Sequence, residues 1–317
     1  MNYNVMLKSA ERAIEEIEAS KDEAKRAAIA LDCIEEIPLF RSTAPLIIGV
    51  AAALGDEKAL QKDAAGFIRL REAVIESSLI LSQYPDAERE IRILHSFLNK
   101  IARDNGARIS LWKARLATAL SNETRARKLL EDFSGSHAFR GLYELASAEF
   151  HSQFKRYDKA REHIAGGKRL FSGSAARNTG FYYRLLQIEC LAAQMTGRIM
   201  EAIGAMGEGL EMVRSYGFAA ETVQDTLTLA NLELYAGKTA EASALMEEGL
   251  REARKASMDD AVPFFLQGLA AAYERQGRLE EALAAAEEGA ELCREKNREM
   301  FTAFEEDAAR IRRKGRF

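Results

Sequence analysis

Apolar and polar residues alternate along this chain with the period of a helix. In "RLEEALAAAEEGAELCREK", residues 278–296, the apolar positions Leu279, Ala282, Leu283, Ala286, Ala290 and Leu292 form one stripe. Such spacing gives a helix one apolar face. The same pattern predicts helices over 4–19, 22–37, 42–54, 56–82, 86–105, 109–120 and 122–133 in the N-terminal part. The longest of these should break near Gly66. Glycine or proline beside Asp or Ser supplies the stops in "EEIPLF", "LGDE", "QYPDAE", "DNGAR" and "FSGSH". At the far end, Met300, Phe301, Phe304, Ala308 and Ile311 mark one more amphipathic helix, from Glu299 to about Arg313. Runs of alternating β-branched residues are absent, so the chain reads as all-α with about fourteen to sixteen helices.

Gly289 interrupts the strongest of these helical patterns. A mid-helix glycine costs roughly 1 kcal/mol against alanine. It stands seven residues after Ala282, and the same step recurs at Ala160/Gly167, Ala202/Gly209 and Ala242/Gly249. Five residues before each alanine lies a turn position: Lys155, Gly197, Gly237 or Gly277. Repetition every 40–42 residues is the mark of a stacked array of helix pairs. Small residues held at one register let neighbouring helices approach closely. A leucine at Gly289 should therefore destabilise the array despite its better helix propensity.

The residues in this register resemble the tetratricopeptide repeat (TPR) family. Leu269, Ala270, Tyr273, Gly277, Ala282 and Ala286 fall on its consensus positions, as do Leu229, Ala230, Gly237 and Ala242 one repeat earlier. Two departures stand out: the period exceeds the usual 34 residues, and glycine replaces the small alanine late in the second helix. Longer repeats of this kind resemble those of bacterial signal-responsive transcription regulators and kinesin light chains. The resemblance implies a right-handed α-α superhelix, a TPR-like solenoid. Its four repeats would span 136–296, after an irregular helical-repeat region at 1–135 and before a capping helix at 297–317. It also implies ligand binding along the concave face, where Arg184, Gln187, Gln194, Gln224, Asn231, Gln267, Glu274 and Arg275 would point. The family's Lys/Asn/Lys/Arg carboxylate clamp is not matched as a set; only Asn231 sits at a corresponding asparagine.

Composition narrows the chemistry. The chain has 317 residues, 30% charged and 47% hydrophobic, enough for a large core. Its cysteines, Cys33, Cys190 and Cys293, form no CxxC pair, which fits a reducing cytosol better than a disulfide framework or zinc site. The most apolar stretch, 44–54, is about half a membrane span, and no apolar run at the N-terminus suggests a signal peptide. The histidines His95, His137, His151 and His163 have no metal-binding spacing. "HIAGGKRLFSGS" lacks the spacing of a phosphate loop, and the many Glu-Glu pairs have basic neighbours on helix faces. No catalytic or cofactor-binding set is present, so an enzyme built on this framework is not expected.

Charge is uneven: −5 over 1–99, +9 over 100–200 and −8 over 201–317. Lys100, Arg103, Arg108, Lys113, Arg115, Arg125, Arg127 and Lys128 are followed by Lys155, Arg156, Lys159, Arg161, Lys168, Arg169, Arg177 and Arg184 among aromatics. Three readings of this basic middle stand open. It could hold an acidic protein or peptide, bind nucleic acid, or pair with the acidic ends or with another subunit. The first makes the chain a non-enzymatic, regulatory scaffold or adaptor binding a protein segment in its groove.

Overall fold

The computed structural model describes residues 2–54, 63–101, 106–133, 139–172 and 176–315, with backbone alone for 176–178. Sixteen α-helices and no strand are found among them. They pack as two compact units, Met1–Thr196 and Gly197–Phe317. The first holds α1 (Tyr3–Ala19), α2 (Glu23–Glu36), α3 (Ala44–Leu54), α4 (Ala64–Ile80), α5 (Tyr84–Ile101), α6 (Gly106–Ala119), α7 (Glu123–Glu131), α8 (Arg140–Gln153), α9 (Tyr157–Phe171) and α10 (Ala176–Met195). The second holds α11 (Ile199–Tyr216), α12 (Ala219–Tyr235), α13 (Thr239–Lys255), α14 (Val262–Arg275), α15 (Leu279–Cys293) and α16 (Arg298–Gly315). The boundary expected at 135/136 lies outside the described residues, as does the start expected at residue 56.

Within each unit every helix packs on its sequence neighbour, and the even-numbered helices also pack on one another. In the first unit α2, α4, α6, α8 and α10 touch in succession, and α10 returns to touch α2. In the second, α12, α14 and α16 touch in succession. The even-numbered helices thus form one layer of each unit and the odd-numbered helices another.

Local sequence sets the helix ends. Asp22 caps α2 by accepting from the backbone N–H of Ala24 at 2.9 Å and Lys25 at 3.2 Å. Asn122 caps α7 through Arg125 N at 3.1 Å. Such caps satisfy donors that the helix cannot pair itself. Near Gly66, α4 begins at Ala64, and the Gly66 N–H donates to the capping Asp63; residues 55–62 lie outside the described residues.

The four turn positions read from the sequence all adopt the left-handed conformation: Lys155 at φ 58°, Gly197 at 75°, Gly237 at 83° and Gly277 at 77°. At Gly277 the next N–H, of Arg278, reaches back to the Tyr273 carbonyl at 2.9 Å, closing a Schellman turn. The pattern missed Ser82, Ser121 and Ser257, which take the same conformation at φ 59°, 56° and 55°. Each closes the same six-to-one hydrogen bond. Serine is uncommon there, so no sequence cue distinguished these turns.

The mid-helix glycines serve a different purpose. Gly167, Gly209, Gly249 and Gly289 are all buried within α9, α11, α13 and α15. A Cβ on Gly249 or Gly289 would overlap the ring of Phe265 in α14 or Phe304 in α16, and on Gly167 it would lie 2.6 Å from Leu185 Cδ1 in α10. What comes close is therefore a large side chain of the following helix. The fit is mutual between α13 and α14, because Met246 fills the space beside Gly268.

The apolar stripe of α15 is as expected, except at Leu292. That side chain is 41% exposed, while Cys293 is buried beside Ala282, Ala285, Ala286 and Ala290. At about 100° per residue, position 293 returns to the face of Ala282 and position 292 does not. In α16, Phe304, Ala308 and Ile311 are buried, with Met300 and Phe301 partly so.

Leucine at Gly289 should lower the melting temperature, with a loss of about 1–3 kcal/mol for overpacking. Thermal unfolding of Gly289→Leu, and of the same variant with Phe304→Ala, measures this. The second substitution should return part of the loss by emptying the space Phe304 occupies.

Candidate functional site

Unit one carries a charged interior that runs across its even-numbered helices. Glu72 and Glu76 are one turn apart on α4, in a helix whose neighbouring positions are buried too. Arg115 of α6, 4% exposed, pairs with both oxygens of Glu76, its Nη2 donating to Oε1 at 2.9 Å. It also donates to Glu149 of α8 from Nε at 2.7 Å and from Nη2 at 3.1 Å. Arg184 of α10 donates to the same Glu149 at 3.3 Å. One turn along α6, Trp112 Nε1 donates to Glu72 Oε1 at 3.1 Å, and Arg108 lies 3.3 Å from that oxygen.

The electrostatics follow from this geometry. Burial opposes the charge on Arg115, but Glu149 and Glu76 outweigh it and raise its pKa, so the guanidinium stays protonated. Burial likewise opposes ionisation of Glu149, yet Arg115 and Arg184 hold its carboxyl below the usual carboxylate range. Such a network is costly to bury and more costly to break.

A second polar cluster joins α8 and α9. His151 and His163 stack at 5.4 Å between centroids and 11° between planes. His163 Nδ1 lies 2.7 Å from Glu144 Oε2, and Glu144 also accepts from Arg140 Nε at 2.5 Å. Burial, then the neighbouring His163, Lys159 and Arg156, push His151 down to about 4. Their stacking is decided by the packing of α8 on α9. Among the described residues, no group of three His, Cys, Asp or Glu could hold a metal ion. His137 lies outside the described residues.

Part of the basic middle is used inside the molecule. Arg108 and Arg115 meet Glu72 and Glu76 from the acidic first stretch. Arg127 and Arg156 converge on Glu123, and Lys168 lies 2.8 Å from Glu189. Arg108 also stacks over Phe139, Arg156 over Phe150 and Lys168 over Tyr182. The interleaved cations and aromatics thus contact one another. Of the three open readings, pairing with the acidic N-terminal stretch is seen directly. Arg103 and the Arg177 side chain lie outside the described residues.

The expected groove residues are distributed over three even-numbered helices. On α10, Arg184 is exposed at the edge of the charged ladder, Gln187 is half-buried 3.4 Å from it, and Gln194 is exposed. On α12, Gln224 and Asn231 are exposed two turns apart; on α14, Gln267 is exposed. The remaining two are engaged. Glu274 pairs with Arg310 and Lys314 of α16, which, against some burial, lowers its pKa. Arg275 donates to the Leu234 carbonyl of α12 at 2.7 Å. Two exposed aromatics were not anticipated: Tyr235 on α12, 76% exposed, and Phe264 on α14, 48% exposed.

Comparison with known proteins finds relatives in structure alone. No protein-family model matches the chain, and no curated protein matches it by sequence. Among solved structures, the apo form of RapI superposes with a TM-score of 0.67 at 11% identity, over 78% of this chain and 72% of that one. A signal transduction ATPase with numerous domains (STAND) from Pyrococcus horikoshii, which carries a tetratricopeptide repeat sensor, superposes with a TM-score of 0.64 at 12% identity. That match covers 93% of this chain and 50% of the other, so the present chain spans half of the larger protein's length. At such identities the likeness concerns the fold: an all-α, TPR-like helical repeat.

Arg115→Ala should cost about 3–5 kcal/mol, because it leaves Glu76 and Glu149 buried without their cation. Urea unfolding at pH 7 measures that loss. Acidity should act through Glu149 in a definite direction. Its folded pKa is lowered, so its contribution is present above the unfolded value, about 4.3, and is lost as pH falls through the folded one. Glu149→Gln should lower stability at pH 7 and flatten the decline below pH 5.

His151 gives a separate, milder dependence. Its folded pKa near 4 lies below its ordinary 6.5. The unfolded chain therefore binds the extra proton between these values, and stability falls as pH drops from about 6.5 towards 4. His151→Phe should remove that slope, as read from melting temperatures at pH 7, 6 and 5.

Proposed function

We propose that the chain is a non-enzymatic regulatory scaffold, with tetratricopeptide-type repeats of 40–42 residues. It binds a protein segment on the even-numbered layer of its second unit. One observation carries this reading. The uncharged amides Gln224, Asn231 and Gln267 and the aromatics Tyr235 and Phe264 are exposed on α12 and α14. The charged neighbours Glu274 and Arg275 are engaged within the fold.

An amide offers both a donor and an acceptor, which suits the backbone of an extended segment, and exposed aromatics add apolar contact area. The two structural neighbours support the reading only through fold. The repeat region of the Pyrococcus horikoshii protein is named a sensor, a role consistent with ligand-responsive binding. This near-neutral face does not call for an acidic partner. Nucleic-acid binding through the basic middle is the weaker alternative, since many of those cations meet carboxylates of the same chain.

No helix among the described residues is long and apolar enough to cross a membrane. Three buried, free cysteines fit the cytosolic placement we assign.

Photo-crosslinkers at Asn231 and Gln267, introduced in the native cell, should capture a protein that a crosslinker at the exposed Arg251 of α13 does not. Asn231→Ala together with Gln267→Ala should then weaken binding of that protein about tenfold, two lost hydrogen bonds at about 0.5–1.5 kcal/mol each, with an unchanged melting temperature. Equal capture from both positions, or unchanged affinity, would overturn the proposal.

A further inference from the structure

We propose that the corner between α2 and α3, residues 37–43, is a releasable strap that closes the even-numbered layer of unit one over its charged interior. This stands independently of the binding surface assigned to unit two. Ile37, Leu39 and Phe40 are 1%, 4% and 2% exposed, although the corner is not helical. It docks on α10, some 140 residues away in sequence, by two contacts. The Phe40 and Tyr183 rings lie 4.9 Å apart. The Leu39 carbonyl rests against Gly180, closely enough that no Cβ fits between them.

Three features set this contact apart from ordinary core packing. First, the strap holds its own shape. Thr43 Oγ1 donates to the Pro38 carbonyl and accepts from Phe40 N at 2.9 Å, so the corner can leave α10 as a formed element. Second, the ladder reaches the same turn of α10. The Arg115 guanidinium is 5.9 Å from the ring of Phe181, the residue after Gly180. Arg115, Glu76 and Glu72 are each under a tenth exposed. An apolar interior would be as stable or more so, whereas a charged one recovers hydration when opened. Third, the hydroxyls of Ser77, Ser78 and Thr118 are buried without hydrogen-bond partners among the described residues. Water admitted on opening would satisfy them.

Closure of the layer thus depends on the apolar contacts of Ile37, Leu39 and Phe40, while the charged groups gain from solvent. Opening separates the strap from α10 and wets the ladder, leaving the individual helices intact. The chain is suited to report this, because Trp112 is its single tryptophan, 1% exposed and bonded to Glu72 within the ladder.

The test is acrylamide quenching of Trp112 in the full chain. Wild type should be shielded, with blue-shifted emission. Gly180→Ala drives a methyl against the Leu39 carbonyl while favouring the α10 helix. It should shift emission to the red and raise quenching several-fold at unchanged far-UV helicity. Phe40→Ala, which removes the ring contact without a clash, should do the same. Trp112 remaining shielded in both folded variants would overturn the proposal. Should either variant fail to fold, hydrogen exchange of wild type decides. Amides of 37–43 and α6 exchanging together, below the denaturant needed for α14 and α15, support the strap. Exchange only with global unfolding refutes it.

Discussion

Large side chains resting on glycines govern how the helices of this protein meet. Phe265 and Phe304 lie over Gly249 and Gly289, and Leu185 lies over Gly167. In each case an even-numbered helix presses a bulky group into the odd-numbered helix before it. Dense packing leaves no slack for a Cβ at these points. The roughly 1 kcal/mol that each glycine costs its own helix is offset by burial of a whole ring or isobutyl group, about 1.5–3 kcal/mol. Left-handed residues recur at the turns that follow α8, α12 and α14, at Lys155, Gly237 and Gly277.

The two units use this frame differently. In the second, alanine, glycine and aromatic residues fill the space between layers, and polar amides remain on the exposed part of α12 and α14. In the first, the even-numbered layer closes from α10 back to α2, and its interior is charged. Arg115 is the centre of that interior, joining α6 to Glu76 of α4 and Glu149 of α8. Its ionisation and that of Glu149 sustain each other, which makes this region sensitive to substitution.

Glycine serves two separate physical ends here, and the sequence shows both at fixed spacing without telling them apart. Gly197, Gly237 and Gly277 have open space where a Cβ would be, and only their positive φ requires glycine. Gly249 and Gly289 have helical backbones, and only lack of space requires it. The serines at Ser82, Ser121 and Ser257 show that the left-handed turn can form without glycine. For that reason the turns at Ser82 and Ser121 escaped the glycine pattern.

The sequence by itself determined the all-α class, most helix positions and the turns at Lys155, Gly197, Gly237 and Gly277. These depend on local period and backbone preference, which reside within a few residues of one another. The resemblance to the repeat family put Gln224, Asn231 and Gln267 on the concave face; the structure leaves them exposed. Only the tertiary structure decided the partners of charged groups. Arg115 looked like one cation in a basic stretch, yet it is buried against Glu76 and Glu149, 39 and 34 residues away. Glu274 is engaged by α16 and Arg275 by α12, partners that their sequence does not name. Charge carries no periodic signature that names its partner, so pairing across helices emerges only when packing brings them within reach.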